Sequence, residues 1–293
     1  MSRADVVRIA AAQYPVTRFD DWDGWAQWQR DWVSDAAAEG ARLLLFPEYC
    51  AMELASLFGD EVALDLHGQL DVLQSLLPQY RQQFAALAGE FSVTIQAGTF
   101  PVRLDDGRMV NRAMLFRPDG SEDFQDKLIM TRFEREQWGM SGGDGLRVLD
   151  SEFGPLGISI CYDSEFPAIA RRQAELGAVL ILVPSCTDTA AGYHRVRIGS
   201  QARALENQCY VVQSPLVGDA PWSAAVDVNE GAAGVYTPAD SGFPDNGVLA
   251  MGEYNRPQWL YADLQLAKVA QVRRDGQVFN FRDSPAQDRF LSR

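Results

Sequence analysis

Histidine is nearly absent: the 293-residue chain has two, His67 and His194. Two scattered imidazoles leave a histidine-rich metal centre without support, and a Cys–His pairing would rest on His194 alone. The four cysteines, Cys50, Cys161, Cys186 and Cys209, have no CxxC spacing and no His cluster nearby, so neither a zinc site nor a disulfide framework is expected. They read as reduced thiols. Basic residues are scarce too, 26 Lys and Arg against 40 Asp and Glu, a net charge of −14 and a pI near 4.6. That balance argues against nucleic acid or an anionic membrane as partner, since both reward Lys and Arg. The longest apolar stretch, Ala178 to Pro184, is far too short to span a bilayer, and the opening MSRADVVRIAAAQYP lacks the apolar core of a signal peptide. The expectation is a cytoplasmic protein. Linkers, charge blocks and repeats are missing as well, so residues 1–293 are expected to form one domain, a size at which roughly three quarters of the unfolded surface is buried.

What is present is a β/α alternation. Trp25, Trp28, Trp32 and Ala36 recur on one face of an amphipathic helix that ends at Gly40, and Tyr80, Phe84, Leu87 and Phe91 repeat the pattern before a strand at Val93–Gly98. The tryptophans therefore read as packing residues. Helices are expected at Pro167–Leu176 and Val196–Glu206, each followed by a strand, Val179–Val183 and Tyr210–Gln213. Such alternation implies an α/β fold with helices covering sheets, and by itself does not separate a doubly wound sheet from two stacked ones. The C-terminal third reads as irregular strands and loops, with GVYTPAD one strand, WLYADLQL an edge strand and 271–293 an arm.

Three segments carry an ionisable side chain at a telling place, two of them at the end of an apolar run. In LGISICYDSEFP, residues 156–167, the run meets Cys161 before a turn and a proline-started helix, whose free N–H groups favour a thiolate at a partly exposed thiol. In ARLLLFPEYC a strand over 42–46 stops at Pro47 and is followed by Glu48. The third is Asp126-Lys127-Leu128-Ile129, after the hairpin signal Arg117-Pro118-Asp119-Gly120 and before TRFEREQWGMSGGD. Each alone has a plain reading, a buried Cys or a solvated charge.

In the order Glu48, Lys127, Cys161, joined by AAQYPV near the start and by VPSCTD and RALENQCYVV later, these segments resemble the nitrilase superfamily of carbon–nitrogen hydrolases over most of the chain. The resemblance selects stacked sheets, a four-layer α-β-β-α sandwich. It implies that Cys161 attacks a carbonyl, that Glu48 serves as general base for the thiol and then for water, and that Lys127 with the Tyr162 N–H holds the oxyanion. It also implies a further carboxylate after the Lys, for which Glu134 is the choice and Glu136 a competitor. No metal and no cofactor are implied. Cys-Tyr-Asp after the strand is similar to amidase branches, so a small amide, opened through a thioester with release of ammonia, is the expected substrate, with an N-carbamoyl amine or a nitrile as alternatives. Acyl transfer to another nucleophile and a non-catalytic binding role are the rivals from other classes.

Specificity is expected from loops around the Cys: Tyr49 to Leu57, Phe133 to Met140, Asp163 to Phe166 and Cys186 to Arg195. Tyr49 and Cys186 are candidate contacts, Arg195 or Arg197 could receive a carboxylate, and Asp188 or Glu165 an amine. The family resemblance further implies a homodimer or higher homo-oligomer, with Phe166 to Leu176 at the contact and the tail across a partner.

Overall fold

The computed structural model describes residues 6–291. Fourteen strands occur among them: β1 Val7–Pro15, β2 Leu43–Phe46, β3 Thr94–Arg103, β4 Met109–Phe116, β5 Glu122–Asp126, β6 Met140–Ser141, β7 Val148–Leu149, β8 Leu156–Ile158, β9 Leu180–Ser185, β10 Tyr210–Asp219, β11 Val228–Asn229, β12 Gly234–Tyr236, β13 Val248–Met251 and β14 Gln258–Leu264. The α-helices are α1 Trp22–Ala38, α2 Asp60–Ala63, α3 Gly68–Leu73, α4 Leu77–Phe91, α5 Arg132–Glu136, α6 Pro167–Glu175, α7 Ala190–Asn207, α8 Ala267–Asp275, α9 Asn280–Asp283 and α10 Asp288–Leu291.

The strands form two half-sheets. One runs β5-β4-β3-β2-β1 with β14 antiparallel on β1; the other runs β10-β9-β8-β7 with β12 antiparallel on β10 and β13 antiparallel on β12. They join where β1 pairs with β10 through Tyr14 with Leu216 and Pro15 with Val217. Side chains alternate between faces along a strand, and this sequence uses both. Ile9, Ala11, Leu43 and Leu45 point into a core shared with Ile158, Leu182, Val211 and Val235 of the second half-sheet. Ala10, Tyr14, Leu44 and Phe46 point the other way, into a core built with Trp25 and Val33 of α1 and Phe84 and Leu87 of α4. Helices α6 and α7 cover the outer face of the second half-sheet. The layers are therefore α, β, β and α, as the resemblance implied.

Trp25 is fully packed between α1 and α4, and Trp28 and Trp32 are half-buried against the same core, in keeping with their reading as packing residues. Strand β14 is the edge of its half-sheet, as expected. The described part of the expected arm has contacts within its own chain. The Gln277 N–H donates to Asp240 Oδ1 at 2.9 Å and the Phe281 N–H to Gln208 Oε1 at 3.1 Å. The Phe281 ring lies 4.6 Å from the Arg171 guanidinium and 4.0 Å from that of Arg273, so two cations hold it down. Residues 292 and 293 of the expected arm lie outside the described residues, as do residues 1–5 of the opening segment.

Candidate active site

Four segment ends from both half-sheets converge on one cleft of about 710 Å³, lined by Glu48, Tyr49, Lys127, Glu134, Cys161 and Cys186 among others. Strand β2 delivers Glu48 through Pro47. The next residue, Tyr49, takes a left-handed backbone, φ 60°, and its N–H donates to Thr99 Oγ1 at 2.8 Å. That approach depends on Gly98, φ 66°, in the bulge where the β3–β4 register shifts: a Cβ there would lie 2.4 Å from the Pro47 carbonyl oxygen and 2.3 Å from Cys50 Sγ.

Lys127 extends the β5 line. Its N–H donates to the Asn111 carbonyl and its carbonyl accepts from the Gly143 N–H, both at 2.8 Å, so the stem is fixed from two sides. Glu134 is the third helical residue after the N-cap Thr131: the Thr131 hydroxyl accepts from the Glu134 N–H and the Glu134 carboxylate from the Thr131 N–H, a capping box. That box turns Glu134 inward. Glu136, two residues on, is exposed and paired with Arg132, so only Glu134 of the two candidates reaches the cluster.

The cluster is nearly dry. Glu48, Lys127 and Glu134 are 1%, 1% and 3% exposed. Lys127 Nζ donates to Glu48 Oε1 and to both Glu134 oxygens, each at 2.7 Å. Glu48 also accepts from Asn111 Nδ2 at 2.9 Å and from the Cys186 N–H at 3.0 Å; Glu134 accepts from the Tyr49 hydroxyl at 2.5 Å. Burial would lower the Lys127 pKa, but the Glu134 and Glu48 carboxylates outweigh it and hold the ammonium well above its usual range. Burial would raise Glu134, and Lys127 pulls it below the ordinary value instead. Glu48 is pushed by burial up to about 7 against the pull of Lys127. One ammonium thus compensates one carboxylate fully, and the second is poised to take up a proton.

Cys161 follows β8 in the short turn Cys161–Glu165, with a left-handed backbone at φ 48°. Its thiol donates to the Cys186 carbonyl oxygen at 3.5 Å. Here the structure corrects the sequence reading: Cys161 is 4% exposed rather than partly exposed, and burial with the nearby Glu48 carboxylate raises its pKa well above the usual thiol value, with Lys127 pulling back. The resting side chain is a thiol, because the low-dielectric floor of the cleft and an adjacent negative charge both disfavour a thiolate. The Tyr162 N–H, in the first turn after the thiol, has no acceptor within its own turn, and Tyr162 lines the cleft.

The remaining candidates separate. Tyr49, Glu165, Cys186, Asp188 and Arg195 line the cleft; Arg195 Nε lies 3.7 Å from the Glu165 carboxylate. Arg197 is outside the lining and His194 is exposed on α7 beside Tyr193, so neither belongs to the cluster. Sequence reasoning missed Asn111 and Asp163. An Asn inside the strand MVNRAMLF was the available sign for the first, since strands disfavour Asn unless its amide has a partner. Asp163, buried beside the Lys127 segment, gave no sign beyond its place after Cys161.

Comparison with known proteins identifies the family. A family model described as carbon–nitrogen hydrolase matches residues 8–274. "Probable hydrolase YhcX" of Bacillus subtilis is 36% identical over 94% of this chain, which spans only 53% of that relative's length. "Omega-amidase NIT2" of Homo sapiens is 25% identical over 84% of this chain and 85% of its own. A solved amidase from Nesterenkonia sp. AN1, carrying the acetamide moiety of fluoroacetamide covalently at its active-site cysteine, superposes with a TM-score of 0.66 at 24% identity, over 92% of this chain and 94% of that one. With the family match extending over nearly the whole length, and with the α-β-β-α layers of nitrilase-superfamily structures, this chain belongs to the carbon–nitrogen hydrolase family.

Proposed function

We propose that this chain hydrolyses the C–N bond of a small amide, releasing ammonia and a carboxylate through a thioester on Cys161. The observation that supports this most is the buried line Glu134–Lys127–Glu48 ending beside the Cys161 thiol at the floor of an open cleft.

An amide needs a nucleophile for its carbonyl carbon, a stabiliser for the oxyanion and a proton for the leaving amine. Glu48, with a pKa pushed up to about 7, takes the thiol proton as Cys161 Sγ bonds to the carbonyl carbon. The Lys127 ammonium and the Tyr162 N–H receive the developing oxyanion. Collapse of the tetrahedral intermediate breaks the C–N bond, and Glu48 returns the proton to the departing nitrogen. Water, deprotonated by Glu48, then attacks the thioester, and Cys161 leaves as a thiolate that recovers the proton. Glu134 keeps Lys127 charged and aimed throughout. The neutral resting thiol fits this sequence, because proton transfer accompanies attack rather than preceding it. The Nesterenkonia amidase, whose active-site cysteine carries a covalent acetamide moiety, favours an amide over other substrates. Tyr49, Glu165, Cys186 and Asp188 are the proposed walls for the rest of the substrate.

Intact-mass measurement after incubation with a panel of amides, N-carbamoyl amines and nitriles tests the proposal. An acyl adduct from an amide, absent in Cys161→Ala, is expected; an adduct from nitriles alone, or the same adduct in Cys161→Ala, overturns it. We further infer a homodimer through α6, which follows the nucleophile's turn directly and leaves Ile169 half-buried, with Arg172 and Leu176 exposed.

A further inference from the structure

Past Lys127 the backbone leaves its strand, and two successive N–H groups need acceptors that no ladder supplies. Asp163 provides them. The Ile129 N–H donates to Asp163 Oδ1 at 2.8 Å, and the Leu128 N–H is shared between Oδ1 at 3.2 Å and Oδ2 at 3.1 Å. Asp163 is itself pinned in the nucleophile's turn: its N–H donates to the Ile160 carbonyl at 3.0 Å and its carbonyl accepts from the Phe166 N–H at 3.2 Å. It is 1% exposed and does not line the cleft, so it has no part in holding substrate.

We propose that Asp163 is a positioning residue, a buried clamp that holds the Lys127 segment against the Cys161 turn and so sets the separation between the ammonium and the thiol. This rests on the reading that Cys161 and Lys127 act together. The geometry suits a carboxylate specifically. It is acceptor-only and can take both N–H groups at once, whereas the amide of an Asn would turn a donor toward one of them. Its negative charge is tolerated in a dry site because two peptide dipoles and the nearby Lys127 ammonium face it; burial nonetheless pushes the Asp163 carboxyl up to about 6. The clamp also crosses between the two half-sheets, since Lys127 follows β5 of one and Cys161 follows β8 of the other.

Alkylation by iodoacetamide reads the pairing of thiol and ammonium without any natural substrate. Cys186 lines the same cleft and serves as internal reference. In Asp163→Asn the rate of Cys161 alkylation, followed by peptide mass spectrometry, is expected to fall about tenfold or more relative to that of Cys186, with the melting temperature little changed, because an ångström of misplacement is enough to cost that much. A residue that merely stabilised the fold would lower the melting temperature or open the cleft to both thiols alike. A Cys161 rate unchanged relative to Cys186 in the folded variant overturns the clamp. Should Asp163→Asn not fold, Asp163→Ser, which keeps one small acceptor, is measured in its place and the same two results decide. Failure of the amidase reading would leave this ratio untouched, so the two ideas fall separately.

Discussion

At Glu48 two demands oppose each other. Burial pushes its carboxyl up to about 7 from an ordinary value of 4.5. The folded state therefore keeps a proton that the unfolded chain releases, so the stability it contributes is fully present below about 4.5 and is lost as pH rises through about 7. The base form that the proposed mechanism uses for proton abstraction grows over the same interval. Activity and stability consequently move in opposite directions there. We expect kcat/KM for an accepted amide to climb about tenfold per pH unit on the acid side and to level off above about 7, the limb reporting Glu48 in the free enzyme. Lys127, held protonated well above its usual range, adds no loss just beyond the plateau. Glu48→Gln should remove the limb and at least about a hundredfold of the rate; a profile flat from pH 5 to 8 in the unaltered enzyme would refute the assignment. Glu53 repeats the theme away from the cleft: burial pushes it up to about 8, while Tyr14, Trp25 and Gln29 donate to it, so its stabilising share also fades as pH rises.

At the scale of elements, the capping box on α5 decides which of two nearby carboxylates belongs to the site. Glu134→Gln loses the charge that holds Lys127, while keeping the side-chain length of the cap. We expect kcat to drop by about a hundredfold or more and KM to change little, whereas Glu136→Gln, which removes an exposed partner of Arg132, should leave both within about twofold. The reverse pattern in steady-state kinetics would move the role to Glu136. The spacing in TRFERE left both open, because the choice depends on a local cap that orients one residue and not on periodicity. Elsewhere, legibility followed how far local pattern determines structure. Helix α1 and the strands before Glu48 and Cys161 were readable from apolar spacing. Helix α7 was expected from Val196 and begins at Ala190, since the Thr189 hydroxyl, accepting from the Gly192 N–H, starts it through a stretch whose Gly and aromatics look unhelical. Strand β3 was expected to stop at Gly98 and runs on to Arg103, the glycine marking a bulge instead of an end. A buried Cys was the plain reading of a thiol after an apolar run, whereas the carboxylate and the ammonium beside Cys161 had no local sign, because segments from both half-sheets bring them there.

For the whole molecule, the proposed dimer would brace the turn that carries Cys161. Helix α6 starts at Pro167, two residues after that turn, and presents Arg172 outward, with Leu176 exposed just past its end. Charge reversal at Arg172 together with Ile169→Asp should convert dimer to monomer by light scattering and lower activity in parallel. A fully active monomer of the unaltered chain at assay concentration would rule this out. The distribution of the site residues along the chain carries a separate consequence. Glu48, Lys127, Glu134 and Cys161 arise on successive loops, and the Cys186 N–H that completes the Glu48 shell comes later still, on the second half-sheet. The first half-sheet is completed only by β14 near the end of the chain, and its inner core is shared with the second half-sheet, so the cluster around Cys161 closes only when nearly the whole chain has been made. On the proposed mechanism, a molecule in which the two half-sheets have not closed lacks the base and the cation beside Cys161 and would leave amides untouched.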